Sequence, residues 1–315
     1  MESYDQHMLF SSPARNNWFY KQIKKTCNNK VCLDIGTGSG VLSLFALHSG
    51  ATHVYMIDSN PECCNLASNV MHHSGIDPQR YTIINEEFNS NSLKNLKNID
   101  VVISELVTSN LFGIDLEKIY STIKQNDKTR DAILIPDTIK GTFSIFKNIE
   151  MFDTIDAIRK QNKISGLIKT GVEEIDRNYS YNKSLFISDF FVNGRYCVRP
   201  FKKSDHSDYV HLLKLYDYAL NSTVDVLKNV INFDMHHPDI NKVWRTSSNL
   251  ENGDYGAMLI GTLSCSQIKN STTHLMNQDV WATYFYKFSK TSDTINIKFD
   301  HNKSDFVFSS KEFVQ

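Results

Sequence analysis

Val31-Cys-Leu-Asp-Ile-Gly-Thr-Gly-Ser-Gly-Val-Leu-Ser-Leu-Phe45 decides the fold, because an apolar strand breaks into glycines at 36, 38 and 40 and passes directly into an apolar helix. Without a Cβ, these glycines allow unusual dihedrals and let a ligand lie against bare backbone at the sheet edge. Asp34 precedes the turn, where a carboxylate accepts a hydrogen bond from a cationic amine or a ribose. A second apolar run, Thr52-His-Val-Tyr-Met-Ile-Asp58, ends in an acid roughly twenty residues on, the position that grips ribose hydroxyls in strand-turn-helix cofactor folds. The spacing G-x-G-x-G rather than G-x-G-x-x-G, with no Walker lysine, favours S-adenosylmethionine over NAD or ATP.

The chain has 315 residues, enough for two domains, since cores divide beyond roughly 250 to 300 residues. Lys+Arg 34 against Asp+Glu 35 leaves no global field to hold nucleic acid or a membrane, so a charged substrate must be recognised locally. The apolar runs are strand-sized and the first residues carry charge where a signal peptide needs an apolar core, so the expectation is a soluble protein of the cytoplasm or nucleus. The six cysteines have no C-x-x-C spacing, and His72-His73 and His236-His237 are adjacent pairs that diverge on a helix; no metal site is expected.

From 31 to 135, short β-branched runs at 31–36, 52–58, 81–85, 99–104 and 131–135 alternate with helical stretches near 40–49, 61–74 and 114–126. That pattern predicts a doubly wound parallel sheet. Gly50 and Gly75 mark helix stops, and Pro61 fits a first helical turn capped by Asn60 or Ser59. Beyond Pro136 the texture changes to short strands at 141–146, 209–215, 256–263, 281–288 and 294–299, which predicts an antiparallel β half. Between them, 152–169 reads as a short helical excursion with an apolar face. The expected division is therefore 1–136 and 137–315.

After the fourth strand comes Val101-Val-Ile-Ser-Glu-Leu-Val-Thr-Ser-Asn-Leu-Phe-Gly113, which leaves Glu105 at the carboxyl end of the sheet, where open α/β sheets place their chemistry. At this point the chain resembles the protein arginine methyltransferases. Leu33-Asp-Ile-Gly-Thr-Gly-Ser-Gly is similar to their cofactor motif, Met56-Ile-Asp58 to their ribose acid, and Asn98-Ile-Asp-Val-Val-Ile-Ser-Glu105 to the start of their acidic hairpin. Ser3-Tyr-Asp-Gln-His-Met-Leu9 with Ala14-Arg-Asn16 resembles their N-terminal helix. The resemblance implies that Met8 packs near the active site, that Arg15 binds the cofactor carboxylate, and that Phe88 and Asn89 border the adenine. It further implies a Rossmann-like domain followed by a β-barrel, a helical arm near 150–175 that makes a homodimer, and a protein substrate presenting arginine. Asp279-Val-Trp281 resembles the Thr-His-Trp loop closing the family's substrate site, which carries that role to Trp281.

Three positions depart from the family pattern. Ile114 stands where the second hairpin glutamate belongs, with Asp115 the nearest acid; Val280 replaces the loop histidine; and Asn89 replaces the adenine acid. His274 is either a returning loop histidine or, as preferred, a packing residue. Losing one side of a bidentate carboxylate clamp costs several hundredfold in rate if nothing compensates. Three readings therefore stand: an arginine methyltransferase with Glu105 holding the guanidinium, assisted by Asp115; a catalytically silent relative acting as a binding or scaffold protein; and a methyltransferase with another acceptor.

Overall fold

The computed structural model describes residues 13–108, 111–112, 115–147, 196–198, 223–238, 243–276, 283–302 and 305–311, with the backbone alone for 196–198 and for parts of 223–230 and 283–285. The segments expected to form the arm at 150–175 and a strand at 209–215, together with Met8, Ile114, Val280 and Trp281, lie outside the described residues. The chain divides into two compact units, one of Met1–Gly141, Ile231–Lys242 and Gly261–Trp281, the other of Thr142–Val230, Val243–Ile260 and Ala282–Gln315.

The first unit holds the five-stranded parallel sheet: β1 (Val31–Ile35), β2 (His53–Asp58), β3 (Tyr81–Asn85), β4 (Val101–Ile103) and β5 (Ile133–Ile135), in the order β3-β2-β1-β4-β5. The central strands β1, β2 and β4 are buried almost throughout, as expected for a parallel sheet covered on both faces, whereas edge strand β3 is largely open. The order reverses between β1 and β4, so the loops after these two strands splay apart and leave a crevice at the carboxyl edge.

Helices α1 (Pro13–Thr26), α2 (Val41–His48), α3 (Pro61–His73) and α4 (Leu116–Gln125) follow from their sequences. In α1 the buried set is Arg15, Trp18, Phe19, Gln22 and Ile23, one face at spacings of three and four. Asn60 caps α3 by accepting from the Glu62 amide, with Pro61 at the first turn. Gly50 and Gly75 follow α2 and α3 at φ 90° and 65°, left-handed positions that stop each helix.

Two later stretches complete this unit. Asp137, fully buried after the cis Ile135–Pro136 peptide, accepts hydrogen bonds from the Thr138 hydroxyl (2.8 Å), the Ser266 hydroxyl (2.8 Å) and the Gln267 amide (3.1 Å). Its own amide donates to the Ser264 carbonyl and its carbonyl accepts from Met235. On α1, Trp18 Nε1 donates to the Thr272 carbonyl at 2.7 Å, and its ring lies 5.7 Å from His274, which is 7% exposed. His274 is thus a packing residue.

The antiparallel half contains β6 (Thr138–Phe146), β7 (Tyr196–Val198), β8 (Thr223–Asp234), β9 (Val243–Ser247), β10 (Gly253–Ser264), β11 (His274–Leu275), β12 (Thr283–Lys290), β13 (Thr294–Asp300) and β14 (Asp305–Ser309). These pair as a six-stranded sheet, β7-β12-β10-β6-β8 with β11 on β10, and a three-stranded sheet, β14-β13-β9. The core of the second unit is aromatic: Phe143 meets Tyr286, Phe306 and Phe308 edge-to-face at 4.9 to 5.7 Å. Strand β8 escaped the sequence reading because Val226-Leu227 and Val230-Ile231 break the two-residue alternation. Leu227, Ile231 and Phe233 nevertheless face inward at alternate positions.

Candidate functional site

The glycine loop is shaped by its own backbone. Gly36, Gly38 and Gly40 have φ of 70°, 54° and 79°, a region L side chains rarely enter. The amides of Gly36 and Thr37 both donate to the Ile57 carbonyl, at 2.8 and 3.0 Å, which pins the loop to the end of β2. A Cβ on Gly36 would overlap Leu106 Cδ2, and one on Gly40 would meet Met56, Ala67 and Met71 at 3.0 to 3.2 Å. Gly40 is therefore needed for α2 to approach α3, whereas Gly36 is required by its φ of 70° rather than by space, since Leu106 Cδ2 is the movable end of a side chain.

Two acids hold this loop. Asp34, 1% exposed, accepts on Oδ2 from the Ser43 hydroxyl (2.6 Å) and the Thr37 hydroxyl (2.9 Å). Burial pushes its carboxyl up to about 6, against the lowering effect of those hydroxyls and of Arg15. Asp58 Oδ2 accepts from the Gly38 amide (2.8 Å) and its Oδ1 from the Asn60 amide (2.9 Å), joining the loop to the start of α3.

Above the loop lies a cavity of about 430 Å³. Its wall includes Arg15, Gly36, Gly38, Asp58, Phe88, Glu105 and Asp115, so the structure brings together most of the residues singled out from the sequence. Asp34 and Gly40 stand behind the wall as supports of the loop. Asn89 is also absent from the lining. Its Nδ2 donates to the Glu87 carbonyl (2.7 Å) and its Oδ1 accepts from the Asn91 amide (2.8 Å), so both ends of the carboxamide close a turn. Glu86, Glu87, Leu106, Lys118 and Ile119 line the cavity and were not singled out beforehand. For Glu86 and Glu87 the signal was available, since they directly follow the strand-ending Asn85.

The dominant electrostatic feature is an ion pair, Arg15 Nη2 to Glu105 Oε2 at 2.8 Å, with the side chains 3% and 7% exposed. Arg15 also donates to Asn16 Oδ1 at 2.8 Å and lies over the Phe19 ring at 5.2 Å. Burial raises the Glu105 carboxyl above its ordinary range, and Arg15 partly opposes that rise. Asp115 caps α4 by accepting from the Lys118 amide at 3.1 Å. The acidic loop between them is anchored by Leu111, a fully buried leucine at φ 73°. Its methyl carbons lie 2.8 Å from where Cβ atoms on Gly141 and Gly261 would stand, so both glycines make room for it. Such a conformation costs of order 1–3 kcal/mol and persists because the surrounding packing over-determines it.

Parallel sheet, glycine turn, strand-end acid and carboxyl-edge cavity together define a Rossmann-like methyltransferase fold. Residues 17–133 match the family model described as ribosomal protein L11 methyltransferase (PrmA). Among curated proteins, the chain is 30% identical over 129 residues to protein arginine N-methyltransferase 7 of Drosophila willistoni, covering 39% of this chain and 19% of that protein. It is 25% identical over 205 residues to protein arginine N-methyltransferase 1 of Oryza sativa subsp. indica, covering 60% and 51%. The chain thus spans about half or less of the length of these relatives. Among solved structures, the Trypanosoma brucei PRMT1 enzyme-prozyme heterotetrameric complex with AdoHcy aligns at a TM-score of 0.63 and 15% identity, over 94% of this chain and 87% of that one. PRMT6-SAH aligns at 0.60 and 11% identity, over 98% and 99%. The chain is protein-arginine-N-methyltransferase-like, in its sequence motifs and in the architecture of both halves.

Proposed function

We propose that this chain binds S-adenosylmethionine in the carboxyl-edge cavity and is a methyltransferase whose acceptor is the guanidinium of an arginine in a protein. The observation that carries the reading is the cavity itself: bare glycine backbone and a strand-end acid on one side, and a buried Arg15–Glu105 pair on the other. Its volume, about 430 Å³, falls within the range of small-molecule sites. The glycine loop, whose backbone lines the cavity at Gly36 and Gly38 with φ of 70° and 54°, fits a nucleoside lying on backbone. In this reading Arg15 holds the carboxylate of the cofactor, Asp58 and the glycine loop hold its sugar, and the cofactor supplies an electrophilic methyl on a sulfonium.

An arginine acceptor needs orientation rather than a strong base, because its nitrogens carry a delocalised cation that must be aligned with the methyl. Glu105 accepts its N–H groups, and Asp115, on the same cavity wall, supplies the second carboxylate in place of the missing hairpin glutamate. The family resemblance carries to Trp281 and Met8 their roles at the acceptor side and to residues 150–175 that of a homodimer contact. One observation favours a second reading, a catalytically silent binding protein: Glu105 is already paired with Arg15, and Asp115 already caps α4.

Calorimetric titration with S-adenosylhomocysteine, followed by radiolabelled methyl transfer to arginine-rich peptides, tests both. Binding with transfer supports the enzyme. Binding without transfer supports the silent relative, and absence of binding overturns the assignment of the cavity.

A further inference from the structure

The start of α4 turns two faces to its surroundings. Leu116, Tyr120 and Ile123 are buried, whereas Asp115, Lys118 and Ile119, three and four residues apart, lie on the cavity wall. Lys118 is exposed and, among the described residues, its ammonium has no hydrogen-bond or ion-pair partner; only its amide is engaged, by Asp115. Arg15, the other cation of this wall, is held by Glu105 at 2.8 Å. The cavity therefore offers one uncommitted positive charge among the described residues, a single helical turn from Asp115. Glu86 and Glu87 follow β3, at the opposite edge of the sheet from the β4–β5 pair that α4 joins, so the field beside Asp115 is set by Lys118.

That placement constrains the acceptor. An ammonium beside the carboxylates that hold a guanidinium repels any further cation brought in with it, and attracts an anion. Residues one turn apart on a helix face stand about 5–6 Å apart at Cβ, a distance that one or two residues of extended peptide cover at roughly 3.3 Å each. We infer that Lys118 selects acceptor segments with an aspartate or glutamate within about two residues of the arginine, and disfavours arginines set in wholly basic tracts. This deepens the acceptor reading above and rests on it.

The test is fluorescence anisotropy of labelled peptides on the full chain saturated with S-adenosylhomocysteine, which reads binding whether or not methyl transfer follows. Three peptides share one central arginine and carry aspartate, serine or lysine two residues to either side of it. The wild type should bind the aspartate peptide about threefold tighter than the serine peptide, the scale of one exposed charge pair, and the lysine peptide most weakly. The preference should fade as salt rises from about 0.05 M to about 0.5 M. Lys118→Met should remove the preference for aspartate over serine, and Lys118→Glu should invert it. A wild type that ignores the flanking residue, or a ranking that Lys118→Glu leaves in place, overturns the inference. A wild type that binds S-adenosylhomocysteine but none of the peptides overturns the arginine acceptor itself, and one that binds no S-adenosylhomocysteine overturns the cofactor reading; in either case this assignment falls with it.

Discussion

Removing Arg15 should expose how much of the first unit's stability depends on one buried ion pair. The charges are 2.8 Å apart and both side chains are more than nine-tenths buried, which puts them in the regime where deleting one partner leaves a desolvated charge and costs about 3–5 kcal/mol. Against a typical total of about 5–15 kcal/mol, that is a large fraction. In Arg15→Met the remaining group is a carboxyl that burial already raises, and without the guanidinium its rise is unopposed. A carboxyl whose folded pKa lies above its unfolded value binds more protons in the folded state, so its contribution is present at low pH and is lost as pH rises. Arg15→Met should therefore regain stability on acidification, by at most about 1.4 kcal/mol per pH unit from this one carboxyl. Glu105→Gln leaves an arginine that cannot discharge, so it should show no such recovery. Urea denaturation of the wild type, both single variants and the double variant gives the coupling directly. The double variant should be less destabilised than the sum of the singles by several kcal/mol; simple additivity, or a flat pH response in Arg15→Met, refutes the reasoning.

Asp34 gives a second pH signature. Its folded pKa of about 6 lies above the ordinary 3.8, so its contribution is intact below about 4 and is lost as pH rises through 6. The stability difference between wild type and Asp34→Asn should shrink or reverse over that window, and a difference that grows instead contradicts the assignment. Gly40→Ala combines φ 79° with contacts of 3.0 to 3.2 Å to Met56, Ala67 and Met71, and should lower stability by about 1–3 kcal/mol in urea titrations. Gln22 is fully buried, and neither end of its carboxamide has a hydrogen-bond partner among the described residues. Gln22→Met, similar in shape, should raise stability by about 1–3 kcal/mol, and a loss would show that the amide is satisfied.

The parallel sheet was legible because its signals are local. Strand runs, the caps at Asn60 and Pro61 and the stops at Gly50 and Gly75 depend only on neighbours in sequence, and each appears in the structure. Arg15, Asp58 and Glu105 were legible as cavity residues because strand ends converge at the carboxyl edge of such a sheet. The pairing of Arg15 with Glu105 was not, since it joins residues ninety positions apart. The same limit hid the seating of Leu111 against Gly141 and Gly261, and the return of residues 264–276 to α1 and Asp137. Asn89 shows a different failure. Its residue type suits a base edge, but an asparagine two residues before an available amide closes a turn on itself.

The contacts of Asp137 and Trp18 set an order of events during synthesis. Trp18 emerges early but waits for the carbonyl of Thr272, and the Asp137 carboxylate waits for Ser266 and Gln267. A chain released after β5 would contain every strand of the parallel sheet and still carry a buried-type carboxylate with two of its donors missing. The apparent first domain is thus finished by residues that follow much of the antiparallel half along the chain, and until these are made its Asp137 and Trp18 lack their partners.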